Sequence, residues 1–539
     1  MALDSVDDLR ESLGTRLERW LNPTRAGRPG RFAGALDDRL NLRYLAERLR
    51  HERRAIHDYV GDIRELPAGS SNLISVVTPI YGIAHRYVRE FVRSVQRQSY
   101  RNWELCICVD GEPDAGIRRY LERLNAQDPN RYRLAVHDSN RGIAIATESA
   151  LKTARGGIVA FADGDDTLNR DALAAVARAF ANDEQIDVVY TNNDILTPWS
   201  YRIDPLYKPA WSAELLLSCN YVMHLFALRR ELLDRCEGLW KPEFDGAQDW
   251  NLALRATRLA RRVHHIPIVL YHWRAHENST ATRTRSKPWA RDAATVIRET
   301  YLAELNGRLC WHTDDTGLLQ LRFRERQAPP LLVIEIRERP DDAADPPPSP
   351  NSGYAYSGDI RVRRVLVGGG MEEQAAALDD AVDEWLRDDG LVLFACADLE
   401  DAALQGAFDT QAAFGMLPGV ACVWPFFDTW RGTYTVREDL LSPRLTRSSF
   451  YTPLTGNVLT GPLHGLMIPR NAWTTLGGFR ACCVEDVPRP QPIQTLGALL
   501  GLRALRRGLR NVAVRTVTSR WRPPVLDLGP CTPPFDPYV

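Results

Sequence analysis

No Cys-x-x-Cys pair occurs among the ten cysteines of this 539-residue chain. Cys106 and Cys108 alternate along an apolar stretch and Cys482 and Cys483 are adjacent, spacings that suit no zinc site. A reduced compartment is therefore expected rather than a disulfide framework. No run approaches the roughly 18 apolar residues of a membrane span. The opening MALDSVDDLRESLG is acidic and lacks an apolar core, so a signal peptide is not expected. Positive charge is not in excess either. The 68 Lys and Arg against 69 Asp and Glu leave a formal net charge of −1, which disfavours nucleic acid as a partner. Arg far outnumbers Lys, a genomic bias rather than a function. A cytoplasmic protein is expected, with peripheral membrane contact left open. Its length suggests roughly three or four domains' worth of chain.

The order of elements is more informative. Residues 1–70 read as helical, with one stripe at Val6, Leu9, Leu13, Leu17 and Leu21. A second, near-heptad stripe runs through Leu42, Leu45, Leu49, Ile56, Tyr59, Ile63 and Leu66. That stripe suits packing on the next domain or a homodimer helix. From residue 72 the pattern alternates. LISVVTPI, WELCICVD, YRLAVHD, GGIVAFAD and IDVVYTNND read as strands, separated by helical stretches. This rhythm predicts an α/β domain with a mostly parallel sheet and helices on both faces. Ligands bind such sheets outside the carboxyl ends of the strands.

The strand GGIVAFAD runs into FADGDDTL, with three Asp inside four positions, Asp163, Asp165 and Asp166. Like charges that close suit either a helix start, with Asp165 or Thr167 as N-cap, or a divalent cation held by hard oxygen ligands. Thr78 and Pro79 end the first strand and Asp110 the second, so all these groups are expected at one sheet edge. The motif DGDDTL also suggests a haloacid dehalogenase nucleophile, but Asp166 stands where that signature has Gly, and the strand is the fourth of its unit rather than the first.

The segments ISVVTPIYG, VDGEPD, NRGIAIATESALKTARGGIVAFADGDD, VVYTNND, YKPAWSAELLLSCNYVMHL, GAQDWNLALRA and IVLYHWRAH occur in the order of glycosyltransferase family 2. Over residues 72–300 the chain resembles these inverting GT-A enzymes, most of all bacterial members that build O-antigen and other surface polysaccharides. The resemblance implies a nucleotide-sugar donor (a UDP-, dTDP- or GDP-sugar), a glycan or glycolipid acceptor, and Mn²⁺ or Mg²⁺ as cofactor. It puts Thr78, Pro79 and Asp110 at the nucleotide. Asp163, Asp165 and Asp166 fall at the DxD motif that carries the metal and donor diphosphate, with the direct ligand open between Asp165 and Asp166. Asp249 takes the place of the catalytic base, and His272 that of a further metal or diphosphate ligand. Arg274 and His276 are implied as phosphate contacts.

Some positions depart from the pattern. Val109 replaces the first Asp of the family's DDGS, and Glu148 replaces the Asn common in the third helix. Asp249 also suits a charge at a helix N-terminus, and His272 a strand-end histidine. His224 in NYVMHL suits packing or acceptor-loop structure. Trp211 and Tyr221 suit a sugar face or, more simply, the core.

The second half repeats the rhythm weakly after the acidic, Pro-rich DDAADPPPSPNSG. A second, degenerate GT-A-like domain is expected, with boundaries 1–70, 71–328 and 329–539. Val367-Gly368-Gly369-Gly370 stands where an acidic nucleotide contact would be. Asp398, Glu400, Asp401, Glu485 and Asp486 remain without a DxD, so a non-catalytic role is expected. The rival to an enzyme is a non-catalytic nucleotide-sugar or glycan-binding scaffold of a polysaccharide assembly.

Overall fold

The computed structural model describes residues 42–62, 65–66, 72–111, 114–197, 200–208, 210–218, 220–275, 288–313, 319–324, 328–338, 356–396, 408–427, 455–457, 463–483 and 495–519. The chain divides into two compact units at 211/212, 221/222 and 296/297, the short segment Ser212–Tyr221 belonging with the second. The sequence boundary expected at 328/329 follows a compositional break, whereas packing divides the chain earlier. The stripe Val6–Leu21, His276, the Pro-rich segment and the acidic groups at 398–401 and 485–486 lie outside the described residues.

In the first unit, helix α1 (Leu42–Val60) buries Ile56 and Val60 in the core of the sheet. The Tyr59 hydroxyl lies 2.9 Å from Nε2 of His264. Strands and helices then alternate: β1 (Ile74–Ile80), α2 (His85–Gln96), β2 (Trp103–Asp110), α3 (Ala115–Gln127), β3 (Tyr132–His137), α4 (Ile143–Thr153) and β4 (Ile158–Phe161). There follow β5 (Thr167–Leu168), α5 (Ala172–Asn182), β6 (Ile186–Leu196), β7 (Arg202–Leu206), β8 (Phe226–Arg229), α6 (Gln248–Leu259) and β9 (Arg262–Arg274). The buried, β-branched runs of β1 and β2 are those of strands covered on both faces.

The strand order is β3-β2-β1-β4-β8-β6-β9-β5, with β7 on β6. The sheet is mostly parallel, as expected, with β5, β7 and β8 reversed. β1, β2, β3 and β4 pair in parallel, as do β6 and β9, but β8 lies antiparallel between β4 and β6. Sequence periodicity shows a strand but not its direction, so this reversal was not visible. The parallel set brings the ends of β1, β2 and β4 to one edge. There the turn after β4 settles on the end of β1, because a Cβ on Gly164 would come within 2.2 Å of Ile80 Cδ1.

The second unit holds the hairpin β10 (Leu309–Thr313) and β11 (Leu319–Phe323) and a seven-stranded sheet. That sheet contains β12 (Leu331–Glu338), β13 (Ile360–Val367), β14 (Leu391–Cys396), β15 (Val420–Phe427), β16 (Thr455–Asn457), β17 (Met467–Pro469) and β18 (Arg510–Ser519). In its order, β13-β12-β14-β17-β15-β18-β16, the first six strands reproduce the run β2-β1-β4-β8-β6-β9 of the first unit. The directions agree as well, including the two antiparallel pairings of β17 with β14 and β15. The expected second α/β domain is therefore present as a topological repeat. No described helix is long and apolar enough to cross a membrane.

Candidate active site

The acidic turn after β4 is built by the end of β9. The Tyr271 hydroxyl donates to Asp166 Oδ2 at 2.5 Å and accepts from the Asp163 backbone N–H at 3.1 Å. The Arg274 backbone N–H donates to Asp166 Oδ1 at 2.6 Å. Register explains these contacts, since β9 pairs with β5 through Thr167 and His272, one residue beyond the turn. Asp166 is only 1% exposed, while Asp163 and Asp165 are partly exposed. Burial pushes the Asp166 carboxyl well above the usual carboxylate range, and the charges of Asp165 and Asp163 push it further. One ligand oxygen from each of the three lies within 4.8 Å of the others. Three hard oxygen donors this close fit a divalent cation such as Mg²⁺ or Mn²⁺.

Arg274 is placed differently from its expected phosphate role. It is 1% exposed, its Nε donates to the Asp165 carbonyl at 2.6 Å, and Nη2 donates to Glu90 at 2.7 Å. Its guanidinium also lies 4.4 Å over the Tyr87 ring. These contacts make it a brace for the turn. His272 is not a member of the three-carboxylate group among the described residues. Its Nδ1 lies 2.7 Å from Asp194 Oδ1, directly across the β6–β9 pair. Asp194 Oδ2 accepts from Arg202 Nε at 2.7 Å, and Arg202 Nη2 donates to Glu52 of α1 at 2.7 Å.

At the end of β2, Asp110 is buried and fully engaged. Oδ1 lies 2.6 Å from His137 Nδ1, and its two oxygens accept from the backbone N–H groups of Arg141 and Gly142 at 3.0–3.1 Å. This is a cap on the loop before α4, not an open acceptor for a nucleotide base. Asp245 adds a second cap, accepting from the Ala144 N–H at 2.9 Å. Gly142, at φ +93°, allows that approach, for a Cβ would lie 2.0 Å from Asp245 Oδ2. Thr78 and Pro79 lie in β1 beside β2, and the Thr78 hydroxyl is buried with no hydrogen-bond partner among the described residues. Val109 is buried, and Glu148 pairs with Lys152 at 3.0 Å one helical turn on.

Asp249 lies in the first turn of α6, partly exposed, and accepts from the Trp250 N–H at 2.8 Å. Burial raises its carboxyl, His224 opposes that rise, and the charge of Asp163 adds to it. The link between Asp249 and the acidic turn is His224. Its Nε2 lies 4.0 Å from Asp163 Oδ2, and its ring stacks on Tyr271 with centroids 5.0 Å apart. Burial holds the imidazole down to about 4, so it is neutral near neutral pH. Sequence reasoning left His224 between packing and an acceptor loop and passed over Tyr271. The signal for Tyr271 was its place beside His272 in YHWR. Tyr221 is core, its hydroxyl bound to the backbone of Ser212.

Residues 75–236 match the family model described as Glycosyl transferase family 2. The chain is 37% identical over 248 residues to Uncharacterized protein y4gI of Sinorhizobium fredii (strain NBRC 101917 / NGR234), covering 46% of this chain and 27% of that protein. It is 34% identical over 274 residues to the O-antigen biosynthesis protein RfbC of Myxococcus xanthus, covering 50% of this chain and 21% of that protein. The chain thus spans about a quarter of the length of these relatives. Among solved structures, S. aureus TarS aligns over 43% of this chain and 42% of its own, with 20% identity and a TM-score of 0.33.

Proposed function

We propose, because residues 75–236 match the glycosyl transferase family 2 model, that the first unit is an inverting glycosyltransferase. It moves a sugar from a nucleotide-diphosphate donor to a hydroxyl of a growing bacterial surface glycan, with Asp249 as general base. The observation that carries this reading is the meeting of Asp249 and the Asp163–Asp166 turn around one neutral histidine, His224.

A sugar hydroxyl is a poor nucleophile near neutral pH, so a carboxylate must take its proton as it attacks. Asp249 accepts that proton. The acceptor oxygen bonds to the anomeric carbon from one face while the bond to the diphosphate oxygen breaks on the other. The centre inverts, and no protein nucleophile is needed. Asp163, Asp165 and Asp166 would hold Mg²⁺ or Mn²⁺, which when bound neutralises charge on the leaving diphosphate. Arg274 and Tyr271 keep those carboxylates in place. Thr78 and Pro79 border the nucleotide at the end of β1, and Asp110 shapes the loop beside it.

We assign the second unit a non-catalytic role in acceptor binding or assembly. In the repeated strand order β13 corresponds to β2, and it ends on Val367 where β2 ends on Asp110. An acceptor carried on lipid would bring the protein to the membrane surface.

The test is to incubate the protein with Mn²⁺ and a panel of UDP-, dTDP- and GDP-sugars and to measure released nucleoside diphosphate. Turnover that is abolished in Asp249→Asn, with nucleotide binding kept, supports the enzyme. Nucleotide-sugar binding that ignores metal and survives Asp165→Ala, without turnover, supports the scaffold reading instead.

A further inference from the structure

Lys208 is buried in the first unit, yet its ammonium meets no carboxylate among the described residues. Nζ donates to the backbone carbonyls of Val222 at 3.3 Å and His224 at 2.9 Å. Its own N–H donates to Asn192 Oδ1 on β6 at 2.8 Å, an oxygen that also lies 2.9 Å from His265 Nε2. Burying an ammonium against neutral carbonyls alone is costly, and its pKa is accordingly pushed far down. A methionine of similar length would fill the same space without that cost. The position of the lysine suggests what its amine is for. Between Lys208 and Val222 the chain leaves the first unit and returns, since Ser212–Tyr221 pack with the second. The ammonium therefore joins the two ends of this excursion, and the returning end carries His224.

We propose that Lys208 is a positioning residue that staples the base of the Ser212–Tyr221 excursion and thereby holds His224 against Tyr271, facing Asp163 and Asp249. The inference rests on the glycosyltransferase reading only for what His224 then does, which is to border the acceptor hydroxyl and its base. The staple itself is a claim about the protein alone. Donation to two carbonyls from one tetrahedral ammonium pins both strands of the loop base at a single point. Without the side chain, Val222 and His224 lose their bonds to Lys208, whose backbone N–H stays on Asn192, while Leu225 keeps its bonds to Thr191 of β6.

Two measurements on the full-length chain test it. The first needs no substrate. With ¹³C-histidine labelling, the ring signal lost in His224→Ala identifies His224, which carries a ring-current shift from the stacked Tyr271. In Lys208→Met that signal should move towards an unstacked position, while the His272 signal stays. An unmoved His224 signal overturns the proposal. The second is a double-mutant cycle on nucleoside diphosphate release. Lys208→Met should lower the rate by about 10- to 100-fold, the scale of a small misplacement at a reacting centre. Binding of Mn²⁺ with UDP should change by no more than about twofold, because the acidic turn is untouched. In the His224→Ala background the Lys208→Met change should cost no more than about twofold further. Additive losses overturn the proposal, because Lys208 would then act independently of His224. Should Lys208→Met not fold, Lys208→Gln keeps an N–H donor for the carbonyls and should retain most of the His224 shift. Loss of that shift in folded Lys208→Gln also counts against the staple. Absence of turnover with every donor sinks the enzyme reading, and the histidine signal still decides the staple.

Discussion

Arg274 donates its Nε to the carbonyl of Asp165 while its backbone N–H donates to the carboxylate of Asp166. One residue at the end of β9 thus holds both the backbone and a side chain of the acidic turn. The remaining side-chain contacts, to Glu90 and the Tyr87 ring, fix the guanidinium plane. Lysine cannot reproduce this fork, because it offers a point charge rather than a planar set of donors. Arg274→Lys should therefore weaken binding of Mn²⁺ in the presence of UDP by about 10- to 100-fold, as removal of a ligand's support does. Isothermal titration reads this directly. A direct phosphate contact would give the opposite pattern, with Mn²⁺ affinity intact and UDP affinity lost.

The pH dependence of turnover follows from two shifts of opposite sign. As the proposed general base, Asp249 would work only when deprotonated, and burial, with Asp163's charge adding to it, raises its carboxyl above the ordinary value of roughly 3.9. The rate should therefore fall as pH drops through a limb lying above the normal aspartate range. His224 is held down to about 4 by burial, so it stays neutral through the neutral region and adds no inflection there. A pH–kcat profile checks both statements. An inflection near 6.5 that vanishes in His224→Gln would mean that the histidine titrates in the working range.

Much of the first unit was legible because its strands are buried on both faces and so read as unbroken apolar runs, as in ISVVTPI and WELCICVD. The place of the acidic turn at a strand end followed from the same runs. What escaped was set by partners distant in sequence. Asp110 looked like a free acid, but His137 and the N–H groups of residues 141 and 142 occupy it, 27 to 32 positions away. Arg274 looked like a phosphate ligand because its contacts to Glu90 and Asp165 span 184 and 109 positions. A spacing rule sees residue types, not which donors the fold has already used. The direction of β8 was hidden for a similar reason, since four apolar-flanked residues carry no sign of whether they run with or against their neighbours.

Metal removal tests whether the acidic turn holds a cation. The Asp166 carboxylate is fully buried and made harder to ionise by Asp163 and Asp165. Asp163→Asn should relieve part of that repulsion and raise thermal stability in EDTA, while lowering stability in excess Mn²⁺ relative to the parent. A parent protein whose melting temperature is the same in EDTA and in Mn²⁺ would contradict a cation at this turn, because binding to the folded state must stabilise it.

The chain of contacts from Glu52 through Arg202 and Asp194 to His272 ties α1 to the strand that braces the acidic turn. Both carboxylates are buried, and the Arg202 guanidinium lies between them at 2.7 Å on each side. Replacing the arginine alone removes the charge that compensates two acids held out of water. Arg202→Met should therefore destabilise the first unit by about 3–5 kcal/mol, the scale of breaking a buried pair. Removing the charges together is a different experiment. In the triple variant Glu52→Gln, Arg202→Met, Asp194→Asn no uncompensated charge remains, and a large part of the loss should return. Urea denaturation of the four single and combined variants, compared at constant m-value, measures this. A triple variant no more stable than Arg202→Met would mean that the arginine acts through packing of its alkyl chain, and that the helix is docked chiefly by Ile56 and Val60.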